Sequence, residues 1–118
     1  MEGSEFQSTL QNIERQLSGS DFKVMNSQYN PEFFGNYYLD FSNGKISYRL
    51  IKDRSQYYLE GKSVDSDNWK DINQFIETKF KGSTLAIDME LHKVGKGDFT
   101  LETIQKLLPK LLHLSEKV

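Results

Sequence analysis

The chain has 118 residues, a net charge of −2 from 15 Lys+Arg against 17 Asp+Glu, 13% aromatic residues and no cysteine. This length suits one domain with its own core, and the aromatic content excludes a disordered polymer. The absent cysteines exclude a disulfide scaffold, an iron–sulfur cluster, a Cys nucleophile and a thiolate zinc site, while the balanced charge gives no electrostatic footprint for nucleic acid.

Residues 4–18 carry Phe6, Leu10, Ile13 and Leu17 on one stripe, which predicts a helix with Ser4 as N-cap and Gly19 as its stop. No window approaches ~18 apolar residues, and residues 1–20 lack the basic start and apolar centre of a secretory signal. The expectation is therefore a cytoplasmic chain that makes no use of a membrane.

Phe22, Val24 and Met25 suggest a short first strand, and Asn30-Pro31 a turn. Tyr37, Leu39 and Phe41 then alternate with polar neighbours, as do Ile46, Tyr48 and Leu50, and Tyr57 and Leu59. Asn43-Gly44 reads as a two-residue hairpin loop. That loop would pair Phe41 with Ile46, Leu39 with Tyr48 and Tyr37 with Leu50. A second turn centred on Asp53-Arg54 would pair Leu50 with Tyr57 and Tyr48 with Leu59. Both hairpins put the same apolar set on one face, and a slip of one residue in either would destroy that agreement.

Residues 68–80 predict a helix with Trp69, Ile72, Phe75, Ile76 and Phe80 on its apolar side, capped by Ser66 or Asp67 and ended by Gly82. Residues 84–92 alternate strictly and predict a strand, with a short helix as the alternative because Ala, Met, Glu and Leu favour helix. Residues 95–97 read as a loop. Residues 100–116 predict the longest apolar helical face, from Leu101 to Leu114, with Pro109 on the solvent side, where it bends the helix without ending it. The fold class is a single α+β domain over 1–118: an N-terminal helix, an antiparallel meander of three to four strands, then two helices with a possible extra strand between them.

The polar sheet face carries the candidate partner-binding residues. The derived register sets Tyr38, Arg49 and Tyr58 side by side, with Asp40, Ser47 and Glu60 next to them. An Arg between Tyr rings is a cation–π arrangement, and both residue types are enriched at binding hot spots. The plainer reading is a cross-strand ladder that only stabilises the sheet, and a third is that a helix covers this face as well. Asp40 and Glu60 would repel phosphate, which weakens the reading as a stacking platform for bases. A second candidate surface is the acidic segment with Asp65, Asp67 and Asp71, suited to speeding association with a basic partner, or simply a solvated loop and helix start. Lys52-Asp53-Arg54-Ser55-Gln56 reads as turn chemistry. Asp88, Glu90 and His92 lack the ligand set of a metal site, and no phosphate-binding glycine loop or nucleophile elbow is present, so neither a cofactor nor catalytic residues are expected.

Phe34-Gly35, the run from Ile46 to Leu59 containing Arg49, Lys52-Asp53-Arg54-Ser55-Gln56 and Tyr57-Tyr58, and then Trp69-Lys70-Asp71-Ile72 resemble a pattern of small bacterial proteins. In that pattern a strand with an Arg leads through Asp-Arg-Gly/Ser-Gln to another strand and a Trp-containing helix. The layout is similar to small α+β immunity proteins of bacterial toxin–immunity systems, including contact-dependent growth inhibition. The resemblance covers residues 34–76. It implies a protein-binding module, not an enzyme, that binds and neutralises a cognate toxin domain. The alternatives are a nucleic-acid-associated sheet protein or a small hydrolase with an unrecognised site.

Overall fold

The computed structural model describes residues 4–80 and 101–116. It is α+β: helix α1 (Ser4–Leu17), strands β1 (Lys23–Asn30), β2 (Asn36–Ser42), β3 (Ile46–Asp53), β4 (Gln56–Ser63) and β5 (Lys70–Asp71), then helices α2 (Ile72–Lys79) and α3 (Leu101–Ser115). The strands form one antiparallel sheet in the order β1-β2-β3-β4-β5. The strand expected at 84–92, the Gly82 stop, the loop at 95–97 and the Asp88/Glu90/His92 set lie outside the described residues.

One face of the sheet holds the core. Tyr37, Leu39, Phe41, Ile46, Tyr48, Leu50 and Leu59 are buried there, as the alternation predicts. Phe6, Ile13 and Leu17 of α1, Ile72, Phe75 and Ile76 of α2, and Ile104, Leu107, Leu108, Leu111 and Leu114 of α3 close over them in a single cluster. Pro109 sits exposed inside α3, so its missing N–H faces water. The deepest polar link joins Tyr48 Oη and Ser115 Oγ at 2.6 Å, and the Ser115 hydroxyl also bonds the Leu111 carbonyl. Gly61 lies opposite Tyr48 in β4, and the Phe75 ring packs so closely over it that an added Cβ would come within 2.7 Å of Cδ2.

Both hairpin registers differ from expectation by two residues. Across β2 and β3, Phe41 faces Tyr48, Leu39 faces Leu50 and Tyr37 faces Lys52. The loop is longer than two residues because the Asn43 side chain accepts the N–H groups of Lys45 and Ile46, both at 2.9 Å, while only Gly44 takes a positive φ. A two-residue type I′ turn needs positive φ at both central residues. Across β3 and β4, Leu50 faces Leu59 and Tyr48 faces Gly61, so the turn centres on Arg54-Ser55. A shift of two residues keeps every side chain on its face, which is why the set is correct as to face, with Tyr57 only half-buried at its edge, while its partners are not.

Two element boundaries also differ. β1 runs for eight residues rather than a short stretch at Phe22–Met25, with a bulge at Met25. Helix α2 starts at Ile72, not near 68, and its N-cap is Asp71, whose Oδ2 accepts Asn73 N–H at 3.2 Å. Residues 70–71 pair with β4 as a fifth strand, so Trp69 precedes the helix and is not part of its apolar side.

Candidate functional site

The sheet face opposite the core carries Tyr38 and Asp40 from β2, Ser47, Arg49 and Ile51 from β3, and Tyr58, Glu60 and Lys62 from β4. Among the described residues no helix packs on it. The register places Asp40, Arg49, Glu60 and Asp71 in one row across four strands, and Tyr38, Ile51 and Tyr58 in the next.

Arg49 is the hub. Its Nε and Nη2 donate to the two carboxylate oxygens of Asp40 at 2.6 and 2.8 Å. Its guanidinium carbon lies 4.6 Å from the Tyr38 ring centroid and 4.5 Å from that of Trp69. The hydrogen bonds to Asp40 push the Arg49 pKa above its already high usual value. Arg49 is thus committed to Asp40 through two donors and lies within cation–π reach of two rings. Lys62 adds to this: its Nζ bonds the Ser66 carbonyl at 2.9 Å and sits 5.4 Å from the Trp69 ring centroid.

Glu60 is different. Among the described residues no donor bonds its carboxylate and no cation pairs with it. Burial raises its pKa; nearby Arg49 works against that, and the carboxylates of Asp71 and Asp40 add to it. The row therefore presents a half-buried acid that favours an incoming cation or hydrogen-bond donor.

The candidate residues of the sequence fare unevenly. Tyr38, Asp40, Arg49 and Glu60 come together, with Arg49 level with Asp40 and Glu60 rather than with the two tyrosines. Tyr58 shares the face, but its hydroxyl donates to Gln56 Oε1 at 2.6 Å, and the second ring on Arg49 is Trp69. Asp71 caps α2. Asp65 and Asp67 are exposed in the β4–β5 connection. The spacing of Trp69 to Ile72, Phe75 and Ile76 is helical, so pattern alone puts it on the apolar side of α2. The Asp71-Ile72-Asn73 cap signal is what separates it from the helix.

A second polar cluster, centred on Glu5, fastens α1 to the sheet. Its carboxylate accepts Tyr57 Oη at 2.8 Å and Tyr37 Oη at 3.0 Å, and pairs with Lys52 Nζ at 3.1 Å. Burial alone would raise the Glu5 pKa, but the hydrogen bonds from Tyr57, Lys52 and Tyr37 outweigh it and hold the group below the usual carboxylate value. Burial, with Glu5 adding to it, pushes Tyr57 up to about 12, so it stays a donor at neutral pH. No local sequence pattern brings Glu5 to Tyr57, which is 52 residues away. Among the described residues no group of three His, Cys, Asp or Glu could hold a metal ion.

No family model, curated protein or solved structure matches the chain. No helix of the described residues is long and apolar enough to cross a membrane.

Proposed function

We propose that this chain is a protein-recognition domain that binds its partner through the Tyr38/Arg49/Trp69/Glu60 face, and that it acts as an immunity protein, blocking a cognate bacterial toxin domain. The observation that carries the recognition reading is Arg49 within cation–π reach of both Tyr38 and Trp69 and bonded twice to Asp40. Side chains ordered before binding lose little entropy on association, and Trp, Tyr and Arg dominate interface energetics. Glu60 beside them, without a hydrogen-bond or ion-pair partner among the described residues, suits a Lys or Arg of the partner. The toxin reading rests on the resemblance over residues 34–76 and on a mode of action that needs a shaped surface and no reacting groups.

The test is binding to the product of the adjacent gene. The proposal expects a one-to-one complex. Trp69→Ala raises its dissociation rate about 30-fold or more, as loss of an anchor worth ≥ ~2 kcal/mol does. Reversing Asp65 and Asp67 to Lys slows association if those exposed acids steer a basic partner. A complex indifferent to Trp69→Ala contradicts the surface. A neighbour that does not bind, and is harmless when expressed alone, contradicts the immunity reading.

A further inference from the structure

At one end of the sheet, beyond the face just described, two turns meet. Phe33 and Phe34, in the β1–β2 connection, are 58% and 73% exposed, which makes Phe34 the most exposed large apolar side chain among the described residues. Phe34 holds a left-handed φ of 59°, and Arg54 in the β3–β4 turn holds one of 62°. No other non-glycine described residue does so. Bulky side chains are rare in this region, and such strain clusters where a segment is held for a purpose.

The two strained residues are joined. The Arg54 guanidinium carbon lies 5.3 Å from the Phe34 ring centroid. Asn36 accepts the Arg54 N–H on Oδ1 at 2.6 Å and reaches Asp53 Oδ1 from Nδ2 at 3.4 Å, which ties the turns together. Among the described residues no carboxylate forms an ion pair with Arg54. A hollow of about 320 Å³, lined by Asn36, Tyr38, Arg49, Ile51, Lys52 and Asp53, runs from this end to the Arg49 platform.

We propose that Phe33, Phe34 and Arg54 form a second anchor for the same protein partner: the rings enter an apolar pocket of that partner, and a carboxylate at the pocket rim takes the Arg54 guanidinium. This inference rests on the protein-recognition reading above and extends its interface across the hollow. The exposed rings and a guanidinium with no carboxylate partner among the described residues match such a pocket in both apolarity and charge. Exposed Glu32 precedes the rings in the chain and exposed Asp53 precedes Arg54, and both carboxylates would be repelled by an anionic lipid surface, which favours protein over membrane.

The experiment uses the full chain with Phe34→Asn and Arg54→Asn, since Asn tolerates a left-handed φ. Both variants should melt at or above the wild-type temperature while their complexes with the adjacent-gene product dissociate about 30-fold faster, the scale of a lost hot spot. If the wild type binds and both variants dissociate at its rate, this inference alone fails. If the wild type does not bind, the functional reading fails and takes this one with it. A lower melting temperature for Phe34→Asn makes the ring a structural element and overturns the proposal. So does cosedimentation of the wild type, but not Phe34→Asn, with phosphatidylcholine–phosphatidylserine vesicles.

Discussion

Two glutamates give this molecule opposite pH responses. Glu5 is held below its ordinary value of 4.5 by donors from Tyr57, Lys52 and Tyr37, so its contribution to stability is present above that value and is lost as the pH falls through the lower folded value. Glu60 is held above 4.5 by burial and by the carboxylates of Asp71 and Asp40. Its protonated form favours folding, so that contribution is present at acid pH and lost as the pH rises through its folded value. Glu5→Gln should therefore lower the melting temperature at neutral pH, and Glu60→Gln should raise it. Both differences should shrink toward pH about 4, where unfolded carboxyls protonate. Thermal melts of the two variants at both pH values check the pair of signs. Gly61 sets a steric constraint of another kind. Its φ is not in the left-handed region, so its need is space under Phe75. Gly61→Ala should cost ~1–3 kcal/mol, as overpacking does, and show as a lowered denaturation midpoint.

At the scale of elements, the two hairpins make their own prediction. Ser47 faces Lys62 on the sheet face opposite the core. In a chain without cysteine, Ser47→Cys with Lys62→Cys should form a disulfide on mild oxidation, and Ser47→Cys with Glu60→Cys, the pair that a turn centred on Asp53-Arg54 would juxtapose, should do so poorly. Leu50→Ala, which empties a fully buried site between Leu39 and Leu59, should cost ~2–5 kcal/mol in equilibrium unfolding. These elements also show what the sequence makes legible. Period-two alternation in residues 37–59 identifies the buried set, because face is a parity and survives a shift of two. It cannot fix partners, because those depend on side chains closing the loops: Asn43 capping Lys45 and Ile46, and Asn36 holding Arg54. The helical stripes of α1 and α3 are long enough to declare themselves. Helix α2 has only eight residues, and Trp69 happened to fall on its spacing. So Tyr38, Asp40, Arg49 and Glu60 were found from local pattern. Trp69, the Glu5 cluster and the Phe34–Arg54 contact needed the chain folded back on itself.

At the scale of the whole molecule, the described helices cover one side of the sheet. The other side bears the Tyr38 and Trp69 rings, Arg49 bonded to Asp40, and Glu60, which has no ion-pair partner among the described residues. The net charge is −2, and on this sheet face Arg49 is already bonded to Asp40 with Glu60 beside it, so the face itself offers few free cations to displace counterions from a phosphate backbone. Fluorescence titration with single- or double-stranded oligonucleotides at ~150 mM salt should give no dissociation constant tighter than ~1 μM, the tight end of non-specific binding. The central claim is that the sheet face carrying Arg49 and Trp69 receives a protein. Backbone amide chemical-shift mapping on addition of the adjacent-gene product tests it most directly. The account predicts the largest perturbations at Tyr38, Arg49, Glu60 and Trp69, with a second group at Phe33, Phe34 and Arg54. Perturbations concentrated on the solvent side of α1 and α3, with the sheet face silent, would contradict it.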